Sequence, residues 1–265
     1  AKIVVDQGFS GRLRILSYID HGLRGLSPQH LVVIVKDNVD LLIEIDSVNN
    51  GSSVLKTFSL ELVVGKRSSV RVVSVDKGSE NSPSMYLFAS RLLEDSVLRI
   101  LDIVTPGLMD HRRFSIYLDR DYSKLLFRGI VVGRGDNRLD YITSPYHRGR
   151  YTGSKILVTG ALYDRSFMVH RGISRIEAGA EYSSTSLETS LLMLSENASG
   201  NGAPMLEIDT GVVDEARHGV RIEKISDEQI FYLMTRGLSR KEAEYIIIQG
   251  FLSQQLGDYI GYEYI

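Results

Sequence analysis

The sequence predicts an all-β fold closed at its C-terminal end by a short α-helical hairpin. Three observations carry this expectation. From about residue 10 to 215, short apolar or alternating runs of strand length follow one another. Clusters of turn-forming residues separate them, and no stretch between them has the spacing of a crossover helix. At Ser226 the pattern changes abruptly to helical periodicity.

The strand-like runs fall at 31–35, 41–45, 58–64, 70–75, 85–89, 97–103, 114–118 and 125–132. The clusters at 36–38, 49–53, 65–69, 76–79 and 133–137 are rich in Asn, Asp, Gly and Ser, which tolerate turn and left-handed conformations. Many short strands suit a sandwich, a barrel or a solenoid, and the irregular spacing favours the solenoid. Each turn of a solenoid buries its apolar face only against its neighbours, so the ends need caps or partners. This makes the C-terminal region a candidate interaction surface.

The helical signal begins where Ser226 and Gln229 stand at capping-box spacing. Ile230, Leu233 and Met234 follow at i, i+3, i+4, and Gly237 sits where a left-handed residue ends a helix. Ser239 and Glu242 open a second box, and Ala243, Ile246, Ile247, Gly250 and Phe251 form one apolar stripe before a stop at Gly257. Tyr245, Ile248 and Leu252 form another. One stripe can pack on the β domain while the other meets a partner, or both can be buried within the monomer. The chain therefore divides into a β core over 1–215 and a helical segment over 216–265.

Composition excludes several classes of function. With 31 basic and 33 acidic residues and no run of either sign, there is no footprint for nucleic acid or an anionic membrane. No apolar run approaches the ~20 residues that span a bilayer, and 1–6 do not read as an export signal, so the expectation is a soluble, cytoplasmic protein. The absence of cysteine excludes disulfides, thiolate nucleophiles, Cys-ligated zinc and self-supplied thiolate ligands for a metal cluster.

Other motifs are weak. Residues 155–161 imitate the strand entering a dinucleotide-binding loop, but 162–165 supply neither the later glycines nor a helix start. Gly133-Arg134-Gly135-Asp136 is explained by a turn. Asp119 and Asp121, with Asp136 and Asp140, could bring carboxylates together on adjacent turns, as a β-helical lyase or hydrolase acting on carbohydrate would require. That is the rival, enzymatic reading; the plainer one is solvated turn charges. His21, His30, His111, His147 and His170 show no metal-ligand spacing.

One C-terminal stretch is more specific. It runs through Glu207-Ile208-Asp209, His218-Gly219, the segment 225–233, Arg236-Gly237-Leu238-Ser239, Glu242-Ala243 and Gly250-Phe251. Together with 151–166, ending in Asp164-Arg165-Ser166, it resembles the SufB/SufD family, core subunits of the Suf iron-sulfur cluster assembly machine. The match is specific from about residue 150 onward; earlier, only the strand rhythm supports it. The resemblance implies a right-handed parallel β-helix. The missing cysteine points to the SufD-like branch, and the direct opening into strands, without the helical N-terminal domain of full-length members, reads as a minimal or divergent version.

On this resemblance the chain is a non-catalytic scaffold subunit, and His218 is the candidate ligand for iron or an iron-sulfur cluster held transiently with a partner; none is expected on this chain alone. A neutral imidazole can ligate iron, although one histidine makes no site by itself, and a solvent-facing or capping role is the alternative. The implied partners are a SufB-like subunit or a second copy, paired through the C-terminal turns, and a SufC-like ABC ATPase on the helical hairpin. Gln229, Tyr232, Arg236, Lys241, Tyr245 and Ile248 are the expected contact positions.

Overall fold

A computed structural model describes residues 1–253. Strands, numbered in chain order, alternate between two eight-stranded sheets. One sheet holds β1 (Lys2–Val5), β3 (Gly25–Val35), β5 (Val54–Val64), β7 (Pro83–Leu92), β9 (Met109–Leu118), β11 (Arg138–His147), β13 (Phe167–Ile176) and β15 (Ser199–Ile208). The other holds β2 (Ser10–Ile19), β4 (Asp40–Asn49), β6 (Ser69–Lys77), β8 (Val97–Thr105), β10 (Lys124–Gly133), β12 (Gly153–Leu162), β14 (Ser183–Met193) and β16 (Val213–Lys224). Every neighbouring pair is parallel, so one odd and one even strand make a turn of a β-solenoid. Side-chain bonds between successive turns join residues 27 to 34 apart.

The apolar runs expected from sequence lie within β3 to β10, and the turn clusters lie between them. At one corner the chain turns through left-handed residues, Asn38, Arg67, Asp95, Tyr122, Tyr151 and Tyr182. Each donates its amide to the next turn, as Tyr122 does to the Arg150 carbonyl at 3.0 Å and Tyr151 to Glu181 at 3.0 Å. Tyr122, Tyr151 and Tyr182 consequently stack, with centroids 5.1 and 5.0 Å apart. Gly149 permits a close approach at this corner, because a Cβ there would lie 2.2 Å from the Arg120 carbonyl carbon.

Alternation along each strand sends every second side chain inward. On the even sheet one inward column runs Leu13, Ile43, Val72, Ile100, Phe127, Ile156 and Leu187 in register. From Ile43 to Leu187 its members are buried. The interior also holds charge. Arg112 donates to Asp76 (2.8 Å) and to Asp102 (2.7 and 3.1 Å), and Lys56 donates to Asp76 (2.6 Å) and to Ser47. Tyr141 closes the group with a 2.7 Å bond to Asp102. Closer to the C-terminal end, His170 bridges Thr143 and Thr189 at 3.0 and 2.7 Å, and His147 bridges Thr152 and Ser154 at 2.7 and 2.9 Å.

Both helices start at the expected caps, and the second forms the full reciprocal box. The Gln229 amide donates to Ser226 Oγ at 3.4 Å and starts α1 (Asp227–Thr235); Gly237 follows with φ of +95°. The Ser239 amide and hydroxyl both donate to Glu242 Oε2 at 2.7 Å and start α2 (Arg240–Ser253). The expected stop at Gly257 lies outside the described residues. The last strand, β16, runs across the expected division at residue 215. It is rich in charge because its outward face lies in solvent, so it lacks the apolar run that marks the earlier strands.

Candidate functional site

His218 sits in the middle of β16, opposite Leu187 of β14. It therefore continues the inward core column by one turn, but among the described residues no further strand covers it, and its side chain is exposed. Val220 and Ile222 occupy the next inward positions of β16 and are 40% and 47% exposed, with Ile208 at the end of β15 at 42%. Among the described residues, β15 and β16 are the terminal strands of their sheets. Among the described residues the C-terminal end of the solenoid is thus an open cross-section of the core, rimmed by the outer backbone N–H and C=O groups of two edge strands.

Outward positions of β16 carry charge arranged symmetrically about Gly219, with Arg217 and Arg221 flanked by Glu215 and Glu223. Arg217 pairs with Glu215 at 3.2 Å and donates to Ser186 at 3.2 Å. Arg217, Arg221, Glu188 and Ser190 line, with the His218 segment, a depression of about 320 Å³. Among the described residues, no three His, Asp or Glu side chains converge to hold a metal ion. His218 could ligate iron only with donors supplied across the open edge.

The helical hairpin presents the second surface. Gln229, Lys241 and Arg236 are exposed, and the Arg236 guanidinium lies 5.3 Å from the centroid of the exposed Tyr232 ring. Tyr245 is 65% exposed. Ile248 departs from expectation. It is buried against Ala161 and Leu192, on the outer face of β12 and β14, with Phe251 and Leu252 beside it. Ile246, expected in the buried stripe, is 44% exposed instead. The helix is rotated relative to the sequence reading because both faces are apolar, and periodicity alone does not select which one docks. The outward surface is formed by Phe231, Tyr232, Tyr245 and Ile246, so Ile248 is a docking residue within the monomer and is withdrawn as a partner contact.

The carboxylates of the enzymatic reading are already engaged. Asp119 pairs with Arg91 and Arg148, Asp121 accepts the Arg150 amide, Asp136 takes both nitrogens of the Arg165 fork, and Asp140 takes His111 and Arg171. Hydrogen bonding by Arg165 holds the Asp136 carboxyl below its ordinary value. These are turn-to-turn ladders on the surface. Sequence reasoning missed Val220, Ile222 and Ile208; their edge role depends on which strand ends each sheet, which only the topology reveals.

Comparison with known proteins agrees with this geometry. Residues 18–251 match the family model described as SUF system FeS cluster assembly, SufBD core domain. The chain is 30% identical, over 84% of its length, to the iron-sulfur cluster assembly protein SufD of Bacillus subtilis, covering 52% of that protein. It is 28% identical, over 76% of its length, to an iron-sulfur cluster assembly SufBD family protein of Staphylococcus aureus, and covers 43% of it. A Staphylococcus saprophyticus member is 23% identical over the same share. The chain spans about half the length of the curated relatives it matches. With the family model covering nearly the whole solenoid and hairpin, this chain belongs to the SufBD core family, on its SufD-like side.

Proposed function

We propose that this chain is a non-catalytic scaffold in iron-sulfur cluster assembly. It pairs edge to edge through β15 and β16 with a cysteine-bearing SufB-like subunit or a second copy, and receives a SufC-like ATPase on the outward face of α1 and α2. The observation that carries this reading is the placement of His218 in the inward column of an uncapped terminal turn. A partner strand laid along β16 would satisfy the edge backbone, cover Val220 and Ile222, and bring its own donors beside the imidazole. Iron or the nascent cluster is cargo at that shared position, and the thiolates would come from the partner because this chain has no cysteine.

Charge on β16 constrains self-pairing. An antiparallel pair centred on Gly219 would oppose Glu215 to Glu223 and Arg217 to Arg221, setting like charges face to face. Centring on His218 opposes Glu215 to Arg221 of the second copy and sets the two imidazoles directly across from each other. Anaerobic co-purification with SufB-like and SufC-like subunits tests the proposal, with bound iron and sulfide measured for native chain and His218→Ala. Loss of metal with assembly intact is expected; failure of the chains to associate would overturn the scaffold reading.

A further inference from the structure

We propose that in mildly acidic solution Asp110 holds a proton in the folded protein, making the sealed ionic cluster inside the solenoid electrically neutral, and that loss of this proton at higher pH loosens the turns around it. The cluster contains two cations, Lys56 and Arg112, and three acids, Asp76, Asp102 and Asp110. All five side chains are at most 3% exposed. Both cations are committed elsewhere. Lys56 serves Asp76 and Ser47, while Arg112 directs Nη1 to Asp76 and Nε and Nη2 to Asp102.

Asp110 is the remainder. Its nearest cationic nitrogen, Arg112 Nη1, lies 3.8 Å away, and neither of its oxygens has a donor in hydrogen-bonding geometry. The titratable and polar groups facing the cluster are Lys56 on β5, Asp76 on β6, Ser84 and Tyr86 on β7, Asp102 on β8, Arg112 on β9 and Tyr141 on β11. None supplies a further positive charge. Three carboxylates against two cations leave one uncompensated negative charge in a low-dielectric interior, which favours protonating one acid. The acid with the fewest partners takes the proton.

The electrostatics agree. Burial pushes the Asp110 carboxyl up to about 6; Asp76 pushes the same way, while Arg112, the Ser84 hydroxyl and Lys56 pull against them. Burial also raises Asp76, but Arg112 and Lys56 outweigh it and hold that carboxyl below its ordinary value. The two neighbours therefore separate into one ionised and one protonated acid, as coupled carboxylates do.

Isotope-edited infrared spectroscopy of the full chain tests it, alongside urea unfolding of native chain and Asp110→Asn. At pH 5 the native chain should show the carbonyl band of a buried protonated acid. That band should be missing from Asp110→Asn and should fade as pH rises past about 6. The folding equilibrium constant of native chain relative to Asp110→Asn should fall on the order of a hundredfold from pH 4 to pH 8, because the unfolded acid titrates near 3.8. Absence of the band at pH 5, or a native-to-variant ratio flat with pH, would overturn the proposal. If Asp110→Asn does not fold, the native infrared titration decides alone.

Discussion

Arg112 and Asp102 face each other across the closed interior, on β9 and β8, joined by bonds of 2.7 and 3.1 Å with both side chains fully buried. The pair ties the two sheets together where no water reaches it. Removing the cation leaves Asp102 buried without a compensating charge and Asp76 with Lys56 alone, and breaking such a pair costs about 3–5 kcal/mol. Arg112→Met should therefore lower the urea midpoint sharply although it adds apolar surface; a midpoint near that of the native chain would contradict this account.

Acid should destabilise the solenoid. Burial pushes His147 down to about 4 and His170 down to about 3, so both are neutral when folded at pH 5. The unfolded imidazoles take up protons below about 6.5, so stability is full above that pH and declines as pH falls toward the folded values. Each histidine contributes a loss of about 2 kcal/mol between pH 7 and pH 5. Asp110, raised to about 6, works in the opposite sense and offsets part of this loss. Urea titrations at the two pH values should show the fall, and His170→Gln should flatten it.

The hairpin separates docking from recognition. Ile248→Ala removes a buried side chain beside Ala161 and Leu192 and should weaken docking of α2 by about 2–4 kcal/mol, read as faster amide exchange in that helix. Tyr245→Ala, at a position 65% exposed, should leave exchange unchanged and reduce capture of a SufC-like ATPase. The same capture from both variants would count against the outward face as the contact.

Gly149→Ala should destabilise by about 1–3 kcal/mol through overpacking, because the added carbon would meet the Arg120 backbone at 2.2 Å. Gly179→Ala, with no heavy atom within 4 Å of the added carbon, is the matched control and should leave the thermal midpoint nearly unchanged.

Much of the architecture is legible in the chain. The apolar runs and Asn-Gly-Ser clusters mark β3 to β10 and their corners, and the Ser226 and Ser239 boxes mark the helix starts. Alternation reads the same in a solenoid and a sandwich; the irregular spacing favoured the solenoid, and the C-terminal resemblance implied the parallel β-helix. The charged interior was invisible: Lys56, Asp76 and Arg112 interrupt strand patterns as surface residues would, and only the stacking of turns brings them together. His218 was legible as a position, but its exposure was not, because it depends on β16 being the last strand of its sheet. Ile248 was misassigned since Tyr245 and Ile248 share one stripe in sequence, whereas the docked helix buries one and exposes the other.

Because each turn bonds only to the turns before and after it, the molecule is graduated like a ruler, in strand spacings of about 4.8 Å. Its length can change only by whole graduations, each of which shifts the His218 end along the axis and leaves the residues presented there the same. The graduations are not interchangeable. Those from β5 to β11 are riveted by the Lys56, Arg112 and Tyr141 bonds, while the turns beyond, toward β16, are held by hydroxyls and imidazoles alone among their inward polar groups. A change of reach is therefore accommodated most readily next to the end that carries the open edge.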